Sequence, residues 1–186
     1  MKKFIVLAGA SWSGKDTVKK KIEDNFEYYN LISTTTRLSR KWEVDWVNYN
    51  FITHSEFDKK INNNEILEYV EFNNNYYWKQ VKDLNKLIKE NKNIITIFET
   101  EWVKNILTYK SYLKVQWYEL IIIFLDISKD EIENRMLNRW DDKESITQRL
   151  NNGDYEYFQE IKEMADIIIN ANNTEKKIYN EIISYL

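Results

Sequence analysis

The stretch LAGASWSGKDTVKKKIE, residues 7–23, decides the fold. It closes the apolar run KFIVLA (3–8), bends at Gly9, and passes through Gly14 and Lys15 into a charged segment of helical character. A continuous apolar run ending at glycine reads as a strand buried on both faces, the mark of a parallel sheet. Gly9-Ala10-Ser11-Trp12-Ser13-Gly14-Lys15 fits the spacing G-x-x-x-x-G-K, set between a strand and a helix. In such a loop backbone N–H groups converge on phosphate oxygens, the helix N-terminus adds positive potential, and the lysine neutralises β/γ charge. Residues 9–17 are therefore the predicted nucleotide-phosphate site. The residue after the lysine is Asp16, with Thr17 next, so either oxygen is a candidate Mg²⁺ ligand. Trp12 is the anomaly in the loop. If its position requires a positive φ, tryptophan costs ~1–2 kcal/mol that glycine avoids.

Working outward, apolar runs at 94–98, 120–126 and 166–170 alternate with charged helical stretches at 80–90, 101–110, 129–138, 143–164 and 174–185. That alternation predicts a parallel sheet covered by helices on both faces. Thr53 with Glu56, and Ser128 with Glu131, have capping-box spacing and mark helix starts. Residues 35–80 break the rhythm. WVNYNFIT and ILEYVEFNNNYYW are rich in aromatic and β-branched residues with Asn between them, which predicts a small antiparallel insertion carrying one helix at 55–63.

Composition narrows the chemistry. A net charge of −3 argues against general affinity for nucleic acid. No apolar run reaches the ~18 residues of a membrane span, and the N-terminal apolar stretch is too short for a secretory signal, so a cytoplasmic protein is expected. The chain has no cysteine, which excludes disulfides and thiolate zinc sites, and its one histidine, His54, argues against a histidine metal cluster or a Ser-His triad. His54 lies beside the predicted cap of the 55–63 helix and reads as structural.

A phosphate loop leaves the acceptor to be named. STTTRLSRKWEVDWVNYNF (33–51) carries Arg37 and Arg40, able to fork onto an anionic phosphate, and Tyr49, able to donate a hydroxyl. ILEY and NNYYW follow in order. Together these stretches resemble the guanylate kinase family, whose pattern runs roughly S-x-T-T-R-x-x-R-x-G-E-x-x-G-x-D-Y-x-F, then a helix, an L/I-E strand and a Y-Y-G turn. The resemblance spans nearly the whole chain. It implies transfer of a phosphoryl group from ATP to GMP, and to dGMP, with Mg²⁺.

Carried over to this chain, the resemblance assigns Arg37, Arg40, Tyr49 and Tyr77 to the GMP phosphate and turns Ser33 and Glu68 toward guanine. A carboxylate suits guanine because the base presents N1–H and N2–H₂ donors. Glu99 falls where the family has an aspartate near the base and metal. ENRMLNRW and ITQRL match the lid pattern, so Arg135, Arg139 and Arg149 would close over ATP and the transferring group, while Asn170 would lie beside adenine. Lys79 stands where a small hydroxyl residue is usual, and Asn74 where glycine is.

The implied fold is a three-layer α/β P-loop kinase forming one domain over 1–186. Its core would be 1–34, 81–138 and 156–186, with a small mixed GMP-binding insertion at 35–80 and a short lid at 139–155 that closes by hinge motion. Partners would be GMP and ATP alone, with no nucleic acid or membrane, in a monomer or homodimer. Two rivals stand: a P-loop kinase of another phosphorylated small molecule, and a catalytically dead interaction module. The guanine-facing pair argues against the first, and the presence of Lys15 against the second.

The family pattern also exposes an oddity. Trp12, Trp42, Trp46, Trp78, Trp102 and Trp140 stand where the family carries glycine, and Trp117 sits in the predicted turn KVQWYE. The chain has 3 glycines and 7 tryptophans, and glycine at all seven positions would bring glycine to about 5%, near the usual ~7%. Either UGA is a glycine codon in this gene, or the tryptophans are real and either pack as aromatics or spoil an enzyme that has become a binding module.

Overall fold

The computed structural model describes residues 1–63, 65–66, 69–72, 74–98, 100–138 and 154–186, with the backbone alone at 72, 100, 101 and 154–158. In chain order the first elements are β1 (Lys2–Ala8), α1 (Lys15–Asn25), β2 (Tyr28–Asn30), β3 (Ser33–Thr35), β4 (Asn50–Phe51) and α2 (His54–Asn62). There follow β5 (Val70–Phe72), β6 (Asn75–Lys79), α3 (Val81–Lys89), β7 (Asn93–Ile97), α4 (Thr100–Thr108) and α5 (Lys110–Val115). Last come β8 (Tyr118–Asp126), α6 (Lys129–Asn138), α7 (Asp154–Met164), β9 (Ile167–Asn170) and α8 (Glu175–Ile183). The chain divides into two compact units, Met1–Tyr28 with Ile95–Leu186, and Tyr29–Ile94.

A five-stranded sheet has the order β2-β7-β1-β8-β9; its strands β1, β8 and β9 lie in the larger unit, where β1 pairs with β8 and β8 with β9 in parallel. Phe4, Ile5, Val6 and Leu7 are all fully buried, as are Ile122, Ile123 and Leu125. Consecutive burial, rather than alternation, means that both faces are covered. Helices α5 and α7 pack on β8, and α8 packs on β9 and α1. Each buried aliphatic side chain contributes roughly 1.5–3 kcal/mol. The predicted strands and helices form within a residue or two, except that the stretch expected at 101–110 ends at Thr108 and is followed by a further short helix, α5, and that of the helix expected at 143–164 only 154–164 falls within the described residues.

The smaller unit holds a four-stranded sheet, β4-β3-β6-β5. β3 and β5 each pair antiparallel with β6, whereas β4 pairs in parallel with β3. The insertion is thus mixed rather than antiparallel throughout. Its physical reason is connection length: residues 36–49 are long enough for the crossover that parallel neighbours need. Phe57 of α2 stacks on Tyr76 at 4.2 Å between ring centroids and meets Tyr69 edge-on at 5.0 Å, which fastens the helix to the sheet.

The capping box at Thr53 forms in full. Thr53 Oγ1 accepts from the Glu56 amide at 3.2 Å, and the Thr53 amide donates to Glu56 at 2.8 Å. At Ser128 half of it forms. The Glu131 amide donates to Ser128 Oγ at 3.2 Å, but the Ser128 amide donates to Asn172 Oδ1, and the Glu131 carboxylate turns to Arg135.

Candidate functional site

In the larger unit, β1 ends at a loop whose geometry is set by two glycines. Gly9 has φ 142, and a Cβ built there would lie 2.6 Å from the Leu125 carbonyl oxygen and 3.2 Å from Ser13 Oγ. Only glycine lets the backbone pass this close to β8. Gly14, with φ 92, precedes α1, which starts without a side-chain cap. An uncapped helix start presents backbone donors to an anion. Ser13 is fully buried, and its hydroxyl has no hydrogen-bond partner among the described residues. A buried hydroxyl left unmatched in such a loop suits an added acceptor such as a phosphate oxygen.

Lys15 leaves α1 and returns over the loop, where Nζ donates to the carbonyls of Gly9 at 2.7 Å and Ala10 at 2.9 Å. Asp16 and Thr17 are exposed in the first helical turn. Trp12 adopts φ 69, so the position does have the left-handed backbone that disfavours its side chain.

Arg135 reaches this loop from α6. Its guanidinium donates to the Trp12 carbonyl at 2.9 Å, the Ala171 carbonyl at 2.6 Å and the Asn173 carbonyl at 3.3 Å, while Nε donates to Glu131 at 2.8 Å. The side chain thus ties the phosphate loop to the turn after β9. Asn170 ends β9, and its Oδ1 accepts from the amide and side chain of Asn172, both at 3.0 Å. Sequence reasoning missed Glu131 as the holder of Arg135, though their i,i+4 spacing was a readable signal.

The smaller unit brings together Arg37, Tyr49 and Tyr77. Arg37 makes a two-pronged pair with Glu43, at 3.0 and 2.8 Å, and its Nη1 also donates to the Leu38 carbonyl at 2.7 Å. The guanidinium sits 5.3 Å from the Tyr49 ring centroid and 5.6 Å from that of Phe51, and Tyr49 meets Tyr77 edge-on at 6.2 Å. Burial alone would raise the Glu43 pKa. Hydrogen bonds from the Arg37 side chain and the Arg40 amide, with the charges of both arginines, outweigh burial and bring it below the usual carboxylate value. The Glu43 hydrogen bond in turn raises the pKa of Arg37. The Arg40 side chain is exposed and lies 6.0 Å over the Trp42 ring.

Behind this cluster the threonine run has structural work. Thr34 Oγ1 accepts from Asn50 at 3.2 Å and Gln80 at 3.1 Å, Thr35 Oγ1 from the Arg37 amide at 3.1 Å, and Thr36 Oγ1 from the Tyr76 amide at 2.8 Å. All three are buried. Ser33, partly exposed, pairs in register with Lys79, whose ammonium donates to the Leu31 carbonyl. His54 contacts the Asn74 carbonyl at 3.2 Å and the Tyr76 ring. Glu68, Glu99, Arg139, Arg149, Trp140 and residues 139–153 of the expected lid lie outside the described residues.

The family model described as guanylate kinase matches residues 1–186. The chain belongs to the guanylate kinase family. Among its relatives, a guanylate kinase of Malacoplasma penetrans is 37% identical over 155 residues, covering 80% of this chain and 75% of the relative. One from Prochlorococcus marinus is 36% identical, covering 84% and 83% respectively. The crystal structure of guanylate kinase from Anaplasma phagocytophilum matches with a TM-score of 0.70 at 21% identity, over 99% of this chain and 84% of that one. At that identity the likeness concerns the fold, and it includes the parallel central sheet flanked by helices.

Proposed function

We propose that this chain is an ATP:GMP phosphotransferase whose donor site is the 9–17 loop and whose acceptor site is the Arg37, Arg40, Tyr49 and Tyr77 cluster. The observation that carries the reading is the family match over residues 1–186, which takes in both sites at once.

Phosphoryl transfer needs positioning and charge neutralisation more than covalent help. A phosphate oxygen of GMP attacks the γ-phosphorus of ATP, the bond to the β-phosphate oxygen breaks, and ADP leaves. Backbone donors of the loop, the Ser13 hydroxyl and Lys15 would hold the donor phosphates. Arg135 fixes the loop through the Trp12 carbonyl, and Asn170, which shapes the turn after β9, would lie beside adenine. Asp16 and Thr17 offer exposed oxygens, the donor type that Mg²⁺ prefers, and the ion would supply further neutralisation of phosphate charge.

Arg37, held in one orientation by Glu43, would fork onto the GMP phosphate with Arg40, while Tyr49 and Tyr77 donate hydroxyls. Ser33 and Glu68 would read guanine, and Glu99 would stand near the base and metal. Arg139 and Arg149 would complete the shell of charge around the transferring group. We assign dGMP as a second acceptor, because none of the proposed contacts involves the ribose 2′-hydroxyl. The enzyme is read as cytoplasmic, a monomer or homodimer. No helix among the described residues is long and apolar enough to cross a membrane.

The test is ADP release with GMP, dGMP, AMP, CMP and UMP in turn. It is run on the chain as written and on a version with glycine at positions 12, 42, 46, 78, 102, 117 and 140. GMP and dGMP should support turnover and the others should not. Turnover with another monophosphate in place of GMP would sink the assignment.

A further inference from the structure

Among the described residues, the non-glycine residues with positive φ are Trp12 (69), Trp46 (60), Asn74 (57), Asn91 (53) and Trp117 (62). Asparagine is at home there, because its short polar side chain can bond to nearby backbone. A bulky aromatic is a genuine outlier at positive φ. Here three of the six described tryptophans adopt it, and no other residue type but asparagine does.

The local hydrogen bonds show what kind of position each one is. At Trp12 the Ser13 amide donates to the Ala10 carbonyl at 3.2 Å, and at Trp46 the Val47 amide donates to the Val44 carbonyl at 3.2 Å. In both, the tryptophan is the third of four turn residues, the place where a type II turn takes glycine. Trp117 follows the cap residue of α5, and its amide donates to the Lys114 carbonyl at 3.0 Å. This is the left-handed helix end that glycine most often fills. α3 ends in the same way at Asn91, whose amide donates to the Ile88 carbonyl at 3.0 Å. Two helix ends share one geometry, and one carries a suitable residue.

The side chains return nothing for the strain at the two exposed sites. Trp46 is 52% and Trp117 76% exposed, although tryptophan is among the most buried residues on average. Trp42 is likewise exposed, and Trp78 is buried with an indole N–H that has no partner among the described residues. Trp102 packs well, stacking on Phe98 at 5.6 Å.

We infer that positions 12, 46 and 117 are glycine in the protein its host makes, encoded by UGA read there as glycine. The inference rests on backbone geometry and holds whether or not the chain phosphorylates GMP. Three measurements test it. Gene sequencing should find UGA at positions 12, 46 and 117; UGG at any of the three overturns it. Peptide mass spectrometry of the host's protein should give glycine masses at these positions, and tryptophan masses would overturn it. The triple variant W12G/W46G/W117G should melt on the order of 10 °C above the chain as written. An unchanged or lower melting temperature would count against it, and this readout is independent of activity.

Discussion

The two proposed sites, the donor loop in the larger unit and the acceptor cluster in the smaller, are built from different material. The donor loop is made of main chain: two glycines, an uncapped helix start and a lysine and an arginine that donate to backbone carbonyls. The acceptor cluster is made of side chains, with Arg37 clamped by Glu43 and set against aromatic rings. A main-chain site tolerates little change in backbone geometry but is largely indifferent to its outer side chains. A side-chain site has the opposite weakness, because each charge depends on its partner.

The largest effect should come from the cation of the donor loop. Lys15→Met is expected to lower kcat by at least about 100-fold, with a smaller change in KM for GMP, read from steady-state kinetics at varied GMP. If KM for GMP rises as steeply as kcat falls, the division of labour between the proposed donor and acceptor sites fails.

Next, Glu43→Gln removes the anionic partner of Arg37. KM for GMP should rise about tenfold, on the order of one lost charge-assisted hydrogen bond, while KM for ATP stays put. This substitution also has a pH signature. The folded-state pKa of Glu43 is lowered from its ordinary 4.5, so its contribution to stability is present above that value and is lost as pH falls through the lowered one. Chemical denaturation from pH 3 to 7 should show a shallower acid decline in the glutamine variant. An identical decline would mean that Glu43 is not the group.

A milder effect is expected from Glu131→Gln on the donor side, because Arg135 retains its backbone carbonyls. KM for ATP should rise about threefold, within the ~0.5–1 kcal/mol of a partly exposed ion pair, and KM for GMP should not move. A change in GMP alone would reverse the comparison. The smallest effect concerns the frame of the acceptor half. Thr53→Ala breaks the capping box of α2 and should lower stability by about 1 kcal/mol, measured in urea, with KM for ATP unchanged.

Much of this was legible in the chain, for reasons that can be traced residue by residue. The loop at Gly9–Lys15 was readable because its chemistry is carried by local spacing, and the β1 and β8 strands because two-sided burial leaves unbroken apolar runs. The parallel pairing of β4 with β3 was not, since a two-residue strand has no period to read. Neither was the partner of Arg37: Glu43 stands six residues away, a spacing that only the turn between them brings into contact. The Ser128 box formed by half because Asn172, distant in sequence, took the Ser128 amide.

The sequence by itself determined the parallel α/β core and the glycine-lysine loop that follows its first strand, because each follows from hydrophobic pattern or from spacing within a few residues. Tertiary structure alone decided that Arg37 pairs with Glu43, and it alone revealed what the tryptophans occupy. Left-handed backbone at Trp12, Trp46 and Trp117 is a property of turns and a helix end, and a residue's name does not report its φ. It is imposed by neighbours in space, and there the side chain written in the sequence and the backbone that must carry it disagree.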